Sequence, residues 1–463
     1  MAPIDPHIFR AYDIRGKAAS QLTPDACEQI GKGFGTALRR MYKKDHPTVV
    51  VGRDARTHSP LLEDAVIKGL TSTGCAVSRI GQTPSPLNYF TICEQKFDAG
   101  VQVTASHNPK DDNGLKLQLR EAEAYSGDDL QRLREQIERQ DFVTGEGSVA
   151  DIDAVTPYQE HLLGLFGSVG EGKTIVVDCG NGVTGPVNGA ILRGAGASLI
   201  GLFLEPDGNF PNHQPDPSKH DTLKDLQKKV VETNADFGIA FDGDGDRVGI
   251  VDETGRIRSA DEILLLLAKD HLRRNPGAPV IFTVSNSETL NTEVARWGGR
   301  PVMCKVGHSF VEHAMRAEGA RLGGEQSGHF FCGEGYYGFD DALAAALRIL
   351  AIFQESGTEN FSALFAEFPA VHQAHERRPH CPDAEKTRIV RELTESFAKT
   401  HPVNTLDGAR VDFGDGAWAG IRQSNTSPCL SVCIEARSTE KLAEVEAAVL
   451  AELRKHPEID LEA

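Results

Sequence analysis

The sequence predicts an α/β chain: three similar α/β units with mixed sheets, followed by an α+β tail. Three observations predict it. Short apolar runs of strand length alternate with amphipathic runs of helix length over most of the 463 residues, the pattern of sheets covered by helices. That length suits about three or four domains at roughly 100–200 residues each. In roughly the last 90 residues the alternation stops, and the pattern reads strand, strand, strand, then one long helix.

The first unit is expected to contain a strand at Thr48–Gly52, a helix at Pro60–Thr73, a strand at Val101–Thr104 that enters a proline-containing turn, and a charged helix at Asp128–Gln140. The Gly/Asp-rich, weakly patterned stretch Thr144–Pro157 marks a boundary. The second unit has strands at Thr174–Asp178, Phe237–Phe241 and Val248–Val251, with a helix at Thr222–Glu232. The third opens with helix Asp261–Arg273 and strand Val280–Val284 and closes after the Ala-rich helix Asp340–Phe353. A polar, proline-containing linker near Arg377–Asp383 precedes the tail, whose long helix is expected at Glu440–Lys455. The domains are thus expected at 1–155, 156–256, 257–368 and 369–463.

Composition excludes several classes. Apolar residues make up 40% and charged residues 25%, enough to build real cores. With 49 Lys and Arg against 67 Asp and Glu, the formal charge is −18, which disfavours nucleic acid or an anionic membrane as partner. No apolar run approaches the ~18 residues of a membrane span, and no secretory leader is visible at Met1–Pro6. Nine scattered cysteines without a C-x-x-C pair read as reduced thiols, so a cytoplasmic location is expected. An anionic substrate would need its positive charges gathered locally.

The densest motif is Asp242-Gly243-Asp244-Gly245-Asp246-Arg247. Alternate residues of an extended segment share a face, and glycines let the backbone turn so that three carboxylates converge. Three hard oxygen donors suit Mg²⁺. An acidic surface turn is the bland alternative. A helix-flanked Ca²⁺ loop is excluded because Arg247 stands where that loop needs glycine and the flanks read as strands. The second motif, Thr104-Ala105-Ser106-His107-Asn108-Pro109, is followed by Asp112-Asn113-Gly114-Leu115-Lys116. It places a small hydroxyl in a tight turn at a strand end, where an exposed nucleophile and backbone N–H groups can face an anion. A plain strand-to-turn connection reads equally well.

Gly323-Gly324-Glu325-Gln326-Ser327-Gly328-His329 offers a carboxylate and a hydroxyl of the kind that bind sugar hydroxyls, or else a simple turn. Arg422-Gln423-Ser424-Asn425-Thr426-Ser427-Pro428 gathers one guanidinium and several small donors, a phosphate cradle or a solvated loop. A competing class comes from Gly180-Asn181-Gly182-Val183-Thr184-Gly185, which matches the dinucleotide fingerprint after a strand, with Glu205 twenty residues beyond. An NAD-dependent oxidoreductase would leave the triple aspartate and the Ser106 turn unused, and Pro186 directly follows the last glycine.

Taken together, these motifs resemble the α-D-phosphohexomutase family, and within it the bacterial phosphomannomutase/phosphoglucomutase branch. Phe9–Gly16 is similar to its N-terminal signature, TASHNP to its phosphoserine loop, DGDGDR to its metal loop, Gly324–Gly328 to its sugar loop and Arg422–Pro428 to its phosphate loop. The resemblance covers essentially the whole chain. It implies four domains around a central cleft and reversible phosphoryl transfer between O1 and O6 of α-hexose phosphates, with glucose 1,6-bisphosphate as activator or intermediate. It implies Ser106 as the phosphorylated residue and as a fourth contact to the Mg²⁺ on Asp242, Asp244 and Asp246. It further implies Arg15, Lys116, Arg247 and His308 as catalytic groups, with Lys116 and His308 as candidates for proton transfer. Tyr12, Lys305, Glu325, Ser327, His329, Arg422, Ser424, Asn425 and Thr426 are implied as substrate contacts. The partners implied are small hexose phosphates, handled by a monomer.

Two departures bear on the substrate. Glu325-Gln326-Ser327 is more like phosphoglucosamine mutases, whereas Ser424-Asn425-Thr426 is like the mannose/glucose branch. Ser285 stands where some relatives carry a substrate-reaching lysine. The phosphate loop and the N-terminal signature favour mannose and glucose phosphates, with phosphoglucosamine mutase as the alternative. Arg422 is expected to hold the non-reacting phosphate from a mobile fourth domain.

Overall fold

In the computed structural model, which describes residues 4–424 and 427–461, the chain forms two compact units, Met1–Ile263 with Ser327–Ala366, and Leu264–Gln326 with Glu367–Ala463. The N-terminal sheet of the first unit runs Ile14–Lys17, Asp112–Leu119, Ala99–Val103, Thr48–Arg53, Ala76–Gln82, Ser148–Asp151. Its last four strands are parallel, and Asp112–Leu119 is antiparallel to both neighbours. The central strands are apolar on both faces because helices cover both: Val49, Val50, Val51, Val101 and Val103 are fully buried. Helices Pro24–Tyr42 and Ser59–Thr71 approach backbone to backbone. A Cβ at Gly69 would stand 2.2 Å from the Glu28 carbonyl oxygen, and one at Gly31 2.5 Å from that of Val66, so neither position admits a side chain.

Asp98 ties this sheet together at one end. Its carboxylate accepts from Lys44 Nζ at 2.7 Å, the Thr48 amide at 3.0 Å and Arg120 Nε at 3.0 Å. Burial works against the charge, but these donors outweigh it and bring the carboxyl down to about 2. Stability from a depressed carboxyl is present above its unfolded value and is lost as pH falls through the folded one. Asp98→Asn is therefore expected to lower the melting temperature at pH 7, and its effect to shrink between about pH 4 and pH 2. Thermal melts of both proteins across that range check this.

The second sheet of this unit runs Ile257–Arg258, Val248–Asp252, Phe237–Phe241, Thr174–Asp178, Ser198–Leu202. Thr174–Asp178 is parallel to both neighbours, and the hairpin Phe237–Phe241/Val248–Asp252 is antiparallel. Helices Val155–Phe166, Gly185–Gly194, Lys224–Thr233 and Ala342–Ser356 complete the unit. In the second unit Pro279–Thr283 pairs in parallel with Arg300–Cys304 and Leu322–Gly324, between helices Glu288–Arg296 and His308–Glu318. The C-terminal sheet is wholly antiparallel, in the order His372–Gln373, Leu430–Ala436, Ala417–Gln423, Ala409–Gly414, Val403–Asn404. Among the described residues no helix is long and apolar enough to cross a membrane.

Three expectations need correcting. The weakly patterned stretch Thr144–Pro157 contains an edge strand, Ser148–Asp151, whose four residues are all exposed and so carry no apolar alternation. The expected linker Arg377–Asp383 is stitched into the C-terminal sheet: Arg377 and Val432 exchange backbone hydrogen bonds of 2.9 and 3.0 Å, and Cys381 is fully buried. A helix, Asp383–Phe397, precedes the C-terminal strands, and its buried face includes Ile389, Val390, Leu393 and Phe397. The long C-terminal helix lies at Thr439–Leu453.

Candidate active site

Ser106 follows strand Ala99–Val103 and has a φ of 51°, unusual for a residue with a side chain. The loop is over-determined by a buried scaffold. The Ser106 amide donates to Thr104 Oγ1 at 2.8 Å, and Thr104 Oγ1 donates to Asp54 Oδ2 at 2.8 Å. Arg56, 1% exposed, donates to the carbonyls of Ser106 (2.8 Å), Asn108 (2.6 Å), Pro109 (2.6 Å) and Asp112 (3.0 Å). Left-handed backbone of this kind costs of order 1 kcal/mol and persists where its surroundings enforce it. The result corrects the expected exposed nucleophile: Ser106 is 1% exposed, and its Oγ donates to Asp242 Oδ2 at 2.7 Å. His107 Nδ1 lies 3.1 Å from the same Oγ.

The acidic loop joins strands Phe237–Phe241 and Val248–Asp252. Asp242 Oδ1 accepts from the amides of Gly245 (2.9 Å) and Arg247 (3.2 Å), which closes the turn. Gly243 is obligatory, since a Cβ there would stand 2.5 Å from the Ser106 carbonyl oxygen. Asp242, Asp244 and Asp246 are buried, and one carboxylate oxygen from each lies within 4.8 Å of the others. Like charges this close in a buried site repel strongly. Burial and its two neighbours push Asp242 well above its ordinary value.

Lys116, on strand Asp112–Leu119, donates to Asp244 Oδ2 at 2.7 Å and to Asp246 Oδ2. Burial and Asp246 act to raise Asp244, but Lys116 and the Ser85 hydroxyl, at 2.6 Å, bring it below its ordinary value. Burial likewise opposes the charge on Asp246, and Lys116, His329 and Arg247 hold it well below. Burial also opposes the Lys116 ammonium, yet the two carboxylates drive it well above its ordinary value. In this arrangement Lys116 is held as the ammonium and balances the charge of the two carboxylates. His107 is held well below its usual range by burial and by Arg247 and Arg15, so a neutral imidazole faces Ser106.

The residues fit a divalent cation. Three hard oxygen donors converge, and Asp244 Oδ1 is buried without a hydrogen-bond partner among the described residues. Arg15 donates to Asp13 Oδ2 (2.5 Å) and Asn108 Oδ1 (3.1 Å), which holds its guanidinium at the serine loop, and Tyr12 acts on it electrostatically. Arg247 Nε donates to His329 Nε2 at 3.2 Å, and His329 Nδ1 lies 3.0 Å from Ser327 Oγ. Asp340 Oδ2 stands 3.8 Å from His329 Nε2.

The first unit thus gathers Ser106, the three aspartates, Arg15, Tyr12, Lys116, Arg247, Ser327 and His329. The second unit holds the other expected residues in two groups. Glu325 Oε1 accepts from the Gly307 amide at 2.7 Å, beside Lys305 and buried His308 at the start of helix His308–Glu318. Arg422 stands near the end of strand Ala417–Gln423, next to Ser424. Asn425 and Thr426 lie outside the described residues. Sequence reasoning missed Arg56, Ser85, His107 and Asp340. It also missed Lys386, whose Nζ donates to the carbonyls of Ser424 (2.8 Å) and Ser427 (3.0 Å).

The dinucleotide-like glycines serve the protein itself. A Cβ at Gly182 would stand 2.9 Å from Gly243, one at Gly185 would stand 1.8 Å from the Leu204 carbonyl oxygen, and the Val183 amide donates to the Gly243 carbonyl at 3.0 Å. Gly182 and Val183 back the acidic loop, and Gly185 packs against Leu204.

Repeated α/β sheets that carry a buried serine against three converging carboxylates define the class to which the sequence motifs pointed. Residues 6–144, 156–255 and 259–371 match phosphoglucomutase/phosphomannomutase alpha/beta/alpha domains I, II and III, and residues 377–452 match the C-terminal domain of the same family. A phosphomannomutase/phosphoglucomutase of Pseudomonas aeruginosa is 40% identical over 448 residues, 96% of this chain and 95% of that protein. A phosphoglucomutase of Neisseria gonorrhoeae is 37% identical over 99% of both chains. The crystal structure of a phosphoglucomutase/phosphomannomutase family protein from Burkholderia thailandensis superposes with a TM-score of 0.92 at 36% identity, covering 99% of this chain and 100% of that one. The chain belongs to the phosphoglucomutase/phosphomannomutase family.

Proposed function

We propose that the chain is an isomerase that moves a phosphoryl group reversibly between O1 and O6 of α-D-hexose phosphates, mannose and glucose, through phosphoserine 106 and a bisphosphorylated sugar. The observation that carries this reading is the 2.7 Å contact between Ser106 Oγ and Asp242 within the acidic cluster. A serine phosphomonoester is stable enough to await a sugar, and transfer through a loose transition state needs positioning and charge neutralisation more than covalent chemistry. Bound to Asp242, Asp244, Asp246 and the phosphoserine, Mg²⁺ would neutralise charge on the transferring group. Arg15 and Arg247 flank the same atoms and add positive charge. The Lys116 ammonium is the candidate to protonate the departing serine oxygen and, once neutral, to take the same proton back when Ser106 attacks in the reverse direction.

In the second unit Glu325 and Lys305 are the candidate sugar contacts, His308 a candidate catalytic group, and Arg422 with Ser424 the candidate phosphate contacts; in the first unit Ser327 and His329 are candidate substrate contacts. Four domains, bounded at 155, 256 and 368, belong to this reading. All nine cysteines are free thiols, which suits a cytoplasmic enzyme. The Gln326 side chain keeps phosphoglucosamine mutase as the alternative.

Glucose and mannose differ only at C2, so substrate contacts confined to O3 and O4 accept both. Rates on glucose 1-phosphate, mannose 1-phosphate and glucosamine 1-phosphate test this. The first two are expected to agree within about 100-fold in kcat/KM, equivalent to ~2.7 kcal/mol. A larger gap would mean a dedicated C2 contact, and preference for glucosamine 1-phosphate would favour the alternative.

A further inference from the structure

In the second unit, three loops leave the C-terminal ends of the parallel strands. They carry Ser285, then Lys305 and His308, then Glu325; Lys305 and Glu325 are the positions read above as substrate contacts and His308 as a catalytic group. The C-terminal sheet touches every one of these loops. Arg410, on strand Ala409–Gly414 and 6% exposed, donates from Nη1 to the carbonyls of Val284 and of Asn286 (2.9 Å), which bracket Ser285. Its Nη2 donates to Glu288 Oε2 at 2.9 Å. Asp407 Oδ2 accepts from the Val306 amide, beside Lys305, at 3.0 Å. Cys433 Sγ lies 3.8 Å from Gln326 Oε1, beside Glu325.

The Arg410 contact closes into a ring. The guanidinium lies 3.6 Å from the centroid of Trp418, Trp418 Nε1 donates to Glu435 Oε1 at 3.1 Å, and Glu435 Oε1 also accepts from the Glu288 amide at 3.1 Å. Trp418 and Arg422 lie four residues apart on strand Ala417–Gln423 and so on one face of it. Between Asp407 and Arg410, Gly408 has a φ of 78°, and a Cβ there would stand 2.9 Å from Arg422 Cα. Residues 407–410 are therefore wedged between the three loops and the strand that carries Arg422.

The geometry points to Arg410, assisted by Asp407, as a positioning residue that holds these three loops in register with the Arg422 phosphate cradle. This rests on the function proposed above. A planar fork is needed to reach two carbonyls and a carboxylate while it stacks on an indole; an ammonium cannot make all four contacts. The consequence is that the third sheet and the C-terminal sheet work as one gripping body, and a sugar phosphate is held at both ends only while the ring is closed.

The test uses the full chain and the variants Arg410→Met, Arg410→Lys, Asp407→Asn and Arg422→Ala, with Arg410→Met also combined with Arg422→Ala. Steady-state rates on glucose 1-phosphate and mannose 1-phosphate are read with bisphosphate present, together with melting temperature and the slow hydrolysis of the Ser106 phosphoenzyme by water. Arg410→Met is expected to lower kcat/KM about tenfold or more on both sugars, mainly through KM, and Arg410→Lys to recover part of the loss. Asp407→Asn, at a half-buried position, is expected to raise KM without lowering the melting temperature. Phosphoenzyme hydrolysis, which needs no sugar, is expected to be unchanged. The Arg410→Met/Arg422→Ala pair is expected to lose less than the product of the single losses. Wild-type KM in Asp407→Asn together with wild-type KM in either Arg410 variant would overturn the inference, as would strictly multiplicative losses in the pair. A wild-type protein inactive on every hexose phosphate would overturn the proposed function and this inference with it; an active wild type with indifferent variants would overturn this inference alone.

Discussion

Ser106→Ala is expected to lower hexose phosphate interconversion by on the order of 10³-fold or more, the scale seen when a covalent nucleophile is removed. The hydroxyl is the part of the residue that donates to Asp242, and the backbone is held by Arg56 and Thr104. The variant should therefore fold and melt like the wild type. Alanine in a left-handed conformation has the same steric cost as serine, so the backbone term is nearly unchanged. Residual turnover with excess bisphosphate would be tolerable, because a bound bisphosphate can donate directly to a sugar. Steady-state rates with and without glucose 1,6-bisphosphate, alongside a thermal melt, give the comparison. Wild-type turnover without bisphosphate would exclude Ser106 as the phosphoryl carrier.

Chelation is expected to abolish turnover and Mg²⁺ to restore it, and Asp244→Asn is expected to remove both the metal affinity and at least ~10²-fold of the rate. Asp244 is the informative member of the trio. One of its oxygens is engaged by Lys116 and Ser85, while the other is buried without a partner among the described residues. The amide keeps the shape but loses the charge that a cation needs. It also removes one of the two carboxylates that hold the Lys116 ammonium, so the proton inventory of the site changes with it. Mg²⁺ titration by calorimetry and the rate at saturating Mg²⁺ separate the two effects. An Asp244→Asn protein with wild-type affinity and rate would show the cation to be bound elsewhere.

Buried strands were the most legible part of the fold. Thr174–Asp178 and Phe237–Phe241 are continuous apolar runs between turn residues, and both occur at those residues. The edge strand Ser148–Asp151 was illegible because all four side chains face solvent, so its pairing with Ala76–Gln82 rests on backbone alone. Helix Asp383–Phe397 does carry a 3.6-residue apolar spacing, but Pro382 and the charges around it read as the end of a linker.

The site divides along the same line. Its glycine-spaced carboxylates and its hydroxyl turn are local in sequence and could be read directly. The contacts that give them their chemistry are not local. Lys116 meets Asp244 across 128 positions, Ser106 meets Asp242 across 136, and Ser85 meets Asp244 across 159. Nothing in the neighbourhood of Arg56 signals that it holds four loop carbonyls. The burial of Ser106 was equally invisible, because the groups against it, Arg56 and Asp242, lie far away in the sequence.

The phosphorylation state of Ser106 during turnover tests the relay most directly. Protein treated with glucose 1,6-bisphosphate is digested and its peptides are weighed, before and after exposure to glucose 1-phosphate labelled in the phosphate. The expected result is one phosphate on the peptide that contains Ser106, exchanged for the labelled phosphate at a rate compatible with turnover, with label appearing on O6 of the sugar. An active enzyme whose Ser106 peptide never carries phosphate, or carries one that does not exchange, would contradict transfer through Ser106.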